Sequence, residues 1–153
     1  MKTFLIILLS TFMFSSLAQN NESIKKVNYC GKNFKVPSEC LANSKYELTC
    51  NDFTIQWLYM NEQLLEYMSQ QLISQLEQKL TIVEKKPIKC ISLNKKMKGS
   101  LLTYLDEDKE KYRIIAYGKV KSQYVIVNLG LTSKPTNNEK LPEFVKQIIQ
   151  FEE

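Results

Sequence analysis

The sequence predicts an α+β domain: an antiparallel sheet with a long central helix and a C-terminal helix packed on it. Three stretches carry that expectation. Leu101 to Leu131 reads as three consecutive antiparallel strands, Asn61 to Leu80 as one amphipathic helix, and Pro142 to Gln150 as a shorter one. A sheet with one apolar face has to bury it, and two helices with apolar stripes are the natural cover.

Residues 1 to 18 read as a cleaved signal peptide. Lys2 supplies the positive start, Phe4 to Phe14 the apolar run, and Ser16-Leu17-Ala18 the small residues of an A-x-A-like cleavage site. The run falls short of the roughly 20 residues that span a bilayer. Cleavage after Ala18 leaves 135 of 153 residues, enough for one domain with its own core. The expected division is a signal peptide over 1–18, a flexible N-terminal segment over 19–29 and a single α+β domain over 30–153. The expected location is therefore secreted or periplasmic, with no stable membrane span after cleavage. Asn21-Glu22-Ser23 fits the N-x-S acceptor pattern, which a chance match explains as well.

Four cysteines follow: Cys30, Cys40, Cys50 and Cys90. An even number in an exported chain predicts two disulfides, and three connectivities remain open. The spacing of ten between the first three is unlike a zinc site, which uses pairs two to four apart. There is no Cys-x-x-Cys pair for thiol exchange.

Phe34 to Val36, closed by Pro37, reads as a short extended piece. Tyr46 to Cys50 and Thr54 to Met60 read as strands, broken by Asn51-Asp52. Ile55, Trp57 and Tyr59 share one face of the second strand, and such an aromatic stripe is more often core than ligand platform. The long helix opens with Asn61 as N-cap and Glu62 in its first turn, where the helix dipole favours a negative charge. Leu65, Met68, Leu72, Leu76 and Leu80 recur at steps of three and four, and Leu64 and Ile73 widen the stripe. Thr81 to Leu93 is extended again, with Pro87 marking an edge strand or two short strands. Asn94 to Gly99 reads as a basic turn.

The three-strand block is read from its period. Tyr112, Ile114, Ala116, Gly118 and Val120 alternate with Arg113, Ile115, Tyr117 and Lys119, and Val125, Val127, Leu129 and Leu131 with Tyr124, Ile126, Asn128 and Gly130. Asp106 to Lys111 is expected as a charged turn and Lys121-Ser122 as a short one. Pro142 suits the first turn of the last helix, whose apolar face is Phe144, Val145, Ile148 and Ile149.

Phe34-Lys35-Val36-Pro37, the helix Asn61 to Leu80, the meander Leu101 to Leu131 and the helix Pro142 to Gln150 together resemble the layout of the PsbP/Mog1/DcrB-type sandwich. The four cysteines depart from it. Proteins of that fold are mostly accessory or binding proteins, so the resemblance implies a binding or assembly role and transfers no functional residue.

Composition excludes several chemistries. The chain has no histidine, so Ser-His-Asp and Cys-His catalysis as usually built are out. Its four glycines are never grouped into a phosphate loop. Asp106-Glu107-Asp108-Lys109-Glu110 lacks the glycine and the twelfth-position ligand of a calcium loop. The formal charge of +5 is mild and spread through interleaved Lys and Glu, which is a solvated surface and not a nucleic-acid footprint. No catalytic, cofactor-binding or metal-binding residue is assigned, and no cofactor is expected. The reading is an exported, non-enzymatic binding or accessory protein of unknown ligand that acts through a protein surface, with another protein as the candidate partner. The alternative is a small secreted hydrolase using carboxylates or a Ser-Lys pair.

Overall fold

The computed structural model describes residues 23–152, so the expected signal peptide lies outside the described residues. Ten strands and two α-helices follow in chain order. They are β1 (Lys26–Tyr29), β2 (Lys32–Lys35), β3 (Leu41–Ser44), β4 (Glu47–Thr49), β5 (Phe53–Met60), α1 (Glu62–Lys79), β6 (Thr81–Ser92), β7 (Lys95–Asp106), β8 (Lys109–Val120), β9 (Gln123–Leu131), α2 (Glu143–Lys146) and β10 (Gln150–Phe151). Strands β1 and β2 form a separate hairpin. The other eight make one antiparallel sheet in the order β10-β6-β7-β8-β9-β5-β4-β3.

The connection through α1 organises this sheet. Strands β6 to β9 form a meander whose last member returns beside β5. The chain must therefore cross four interstrand gaps between β5 and β6, about 19 Å at the usual spacing. The 18-residue α1 is long enough for the crossing, at about 27 Å. Asn61 caps it as expected, its side chain accepting from the Leu64 N–H at 3.0 Å.

Alternation along β8 and β9 splits the interior into two layers. Tyr112, Ile114, Ala116, Val120, Val125, Val127, Leu129 and Leu131 face the larger core, closed by the β1–β2 hairpin and by Leu141, Phe144, Val145, Ile148 and Ile149. Ile115, Tyr117 and Ile126 face the other way and receive Ile73 of α1. The two helical segments thus cover opposite faces of the sheet. Ile55 and Trp57 are core residues, with Tyr29 edge-on to Trp57 at 5.6 Å.

Several boundaries differ from expectation. Lys26–Tyr29, expected inside a flexible segment, is strand β1, because Val27 and Tyr29 are buried in the larger core. The terminal helix is not Pro142 to Gln150. Only Glu143–Lys146 is helical, and Pro142 is the cap with extended ψ. The chain leaves the helix because the open side of β6 offers a partner: Gln150 pairs with Ile91 and Phe151 with Cys90. Asn138 fixes this strand by accepting from the Phe151 N–H at 2.6 Å.

The two charged stretches are strand, not loop. The turn after β7 is Glu107-Asp108 alone, with Asp106 opposite Lys109 and Leu105 opposite Glu110. The expected basic turn is Leu93-Asn94, and Lys95, Lys96 and Lys98 belong to β7. Backbone pairing is indifferent to the charge of side chains that point to water, so polarity alone misplaced both ends. Both turns, and Cys30-Gly31 between β1 and β2, carry positive φ at both central residues. That is the twist a two-residue hairpin needs. Pro87 does mark an edge. Strand β6 is continuous over twelve residues, but β10 reaches only Cys90 and Ile91, so among the described residues no strand lies outside Pro87.

Candidate functional site

Of the four cysteines proposed as disulfide partners, Cys40 and Cys50 are bonded, stapling the two ends of the β3–β4 hairpin. Cys30 and Cys90 are buried and free, so the expectation of two bridges is corrected to one. The elements that hold these thiols keep them apart. Cys30 sits in the β1–β2 turn, its N–H donating to the Tyr59 hydroxyl on β5 at 2.7 Å. Cys90 lies on β6, with β7, β8 and β9 between it and β5.

Around Cys30 the larger core holds a small polar group. The Tyr29 and Ser92 hydroxyls share a buried hydrogen bond of 2.8 Å. Burial pushes the Tyr29 phenol and the Cys30 thiol up, and pushes the Tyr59 phenol to about 12. Burial alone pushes the Cys90 thiol to about 12. Burial keeps these groups protonated at neutral pH and disfavours the thiolate at both cysteines.

The outer side of α1 is a different surface. The stripe read from the sequence is only half right. Ile73 and Ser69 are buried, and Leu65, Leu72 and Leu76 pack partly against Ile115, Tyr117 and Ile126. Leu64 and Met68 do not dock: they are 46% and 42% exposed, and Tyr67 between them is 60% exposed. Residues three and four apart share a helix face, so these three form one apolar ridge toward solvent. Leu58, 45% exposed, belongs to the side of β5 that faces α1, since Ile55 and Trp57 point into the larger core. The ridge is flanked by a polar seam on the sheet. Glu66 accepts from the Tyr117 hydroxyl at 2.9 Å, Gln70 donates to the same oxygen at 3.2 Å, and Lys98 lies 3.9 Å from Glu66. Burial, then the Glu66 contact, push the Tyr117 phenol up.

Where α1 does not cover the sheet, a cleft of about 240 Å³ opens. Its walls include Thr54, Tyr104, Asp106, Lys111, Arg113, Gly130 and Thr132. Arg113 is half-buried on β8, directly opposite Gly130 on β9. Its Nη1 donates to Asn128 Oδ1 at 2.9 Å. Its Nε is buried without an acceptor, which ordinarily costs about 1–3 kcal/mol. The glycine matters here. A Cβ at 130 would lie 2.7 Å from Thr54 Oγ1 and 3.4 Å from Arg113 Nη2. Sequence reading placed Arg113 only as one member of the alternation in β8. The signal available was composition, since Arg113 is the one arginine in a chain otherwise basic through lysine.

A larger cleft of about 530 Å³ runs between Ser23–Lys25 and the connection from β2 to β3, with Lys25 and Lys35 its only charged lining residues among those described. It brings no set of polar side chains to one point. Among the described residues no three Cys, Asp or Glu side chains gather as a metal site, and no helix is long and apolar enough to cross a membrane. No protein-family model matches the chain, and no curated protein matches it in sequence.

Proposed function

We propose that this chain is an exported binding or accessory protein that works by docking another protein on the outer face of α1. The observation that carries the reading is the ridge Leu64, Tyr67 and Met68, three large apolar side chains left in water on a helix whose other face is docked. Tyr and Met are enriched at the centres of protein interfaces, and an apolar patch next to a polar seam has the composition of one. Export rests on residues 1–18 and accords with a disulfide in the fold. The layout resembles the PsbP/Mog1/DcrB-type sandwich, whose members are mostly accessory proteins, and that analogy points the same way.

The hydrolase alternative gains no comparable support. The two buried serines are engaged elsewhere, Ser69 with the Leu65 carbonyl and Ser92 with Tyr29. The test is a photo-crosslinking residue placed at Tyr67 in cells of the native host, with a second at Gln147 on the opposite side of the sheet. A discrete protein adduct is expected from position 67 and not from 147, and Leu64→Glu should abolish it while leaving the circular dichroism melt unchanged. Equal adducts from both positions, or none from 67, would refute the reading.

A further inference from the structure

We propose that the cleft at Arg113 binds a small monocarboxylate, with the guanidinium of Arg113 as the group that holds its carboxylate. The choice of residue is the first argument. Every other basic side chain is lysine, a flexible point charge. Arginine is a rigid planar fork suited to an oxyanion. The one place where the chain uses it is the floor of a cleft.

Donor accounting is the second argument. A guanidinium carries five N–H donors. Asn128 accepts from Nη1 at 2.9 Å, Nε is buried without an acceptor and out of a ligand's reach, and no ion pair among the described residues includes Arg113, which leaves Nη2 as the open nitrogen. The side chain is positioned by an amide and left with its charge unmatched. Asn128 is the telling partner, because an aspartate there would have neutralised the group. Gly130 completes the arrangement by leaving room beside Thr54, whose Oγ1 would lie 2.7 Å from a Cβ there.

Size and charge narrow the ligand. A volume of about 240 Å³ admits a compound up to the size of a single ring with its carboxylate. The charged lining is Arg113 and Lys111 against Asp106, one net positive charge, which matches one carboxylate and falls short of a phosphate dianion. Thr54 adds a hydroxyl, that of Thr132 being donated to the Asp52 carbonyl, and Tyr104 supplies an aromatic wall for the organic part. The inference does not depend on the α1 surface, and either can fail alone.

The probe is 4-fluorobenzoate, followed by its 19F line width against the purified mature protein at constant ionic strength. Acetate and inorganic phosphate serve as competitors. Saturable broadening is expected, displaced by acetate and at least tenfold less readily by phosphate. Arg113→Lys keeps the charge and loses the fork, and should weaken binding at least tenfold. Asn128→Asp gives the guanidinium an internal carboxylate and should do the same, so the result stands even if one variant fails to fold. Lys121→Met, in the β8–β9 turn, should bind as the parent does. No saturable broadening overturns the proposal, as does full binding in either folded Arg113 or Asn128 variant. Equal displacement by phosphate shows attraction to charge alone, and overturns it too.

Discussion

The buried acids Cys90, Cys30 and Tyr29 and, with a smaller weight, the half-buried Tyr59 make a prediction about alkaline pH. Burial raises all four, Cys90 and Tyr59 to about 12. In the unfolded chain thiols ionise near 8.5 and phenols near 10. Above those values the unfolded state holds fewer protons than the folded one, so stability falls as pH rises. Each group contributes at most about 1.4 kcal/mol per pH unit across its window. Stability should be level up to about pH 8 and decline from about pH 9 to 12. The urea midpoint against pH is the measurement, and a flat midpoint from pH 8 to 11 would contradict it. At this scale the sequence was least legible. An even cysteine count says nothing about which thiols the fold withdraws into its core, and Cys30 and Cys90 are distinguished only by the elements that carry them, the β1–β2 turn and β6.

At the scale of elements, α1 shows how far periodicity reaches. The cap at Asn61 and the length of the helix were readable because both depend on local sequence. Its docked arc was not, since apolar residues at steps of three and four lie on both its inner and outer sides. A sheet supports only the inner arc, and that arc centres on Ile73, 3% exposed against Ile115, Tyr117 and Ile126. Ile73→Ala should therefore cost about 2–5 kcal/mol. Leu72→Ala, at a partly covered position, should cost less, and Gln71→Ala should stay within about 0.5 kcal/mol. Chemical denaturation of the three variants gives the order. A larger loss at Leu72 than at Ile73 would mean the helix is rotated from the orientation described. The short terminal helix fails for a related reason: its apolar pattern was correct, but the unpaired side of β6 captures Gln150 and Phe151 before a second full turn is complete.

For the whole molecule, two cores share one sheet. Val125, Val127 and Leu129 serve the hairpin side while Ile126, between them, serves the α1 side. Neither layer can separate without exposing the back of strands the other needs. Unfolding should accordingly be one transition. The sole tryptophan, Trp57, reports the hairpin-side core, and helical circular dichroism at 222 nm reports α1 on the far side. The two denaturation curves should coincide. Separate midpoints would show that the layers melt independently. The mixed α+β class, the meander and the two-faced alternation were all legible, since period-2 patterning fixes which residues oppose each other. The crossing of α1 over three strands was not, because nothing local tells β9 that its outer neighbour is β5. The Arg113 cleft inherits that gap: it exists where the crossing helix leaves part of the sheet bare.

The segments that close the larger core also decide how the molecule can be held. The β1–β2 hairpin near one end and the Leu141–Ile149 segment near the other lie on the same side of the sheet, opposite α1. A surface or binding reagent that grips the hairpin side therefore has the full thickness of the sheet between it and the helix, and the helix with the bare half of the sheet beside it stays presented outward.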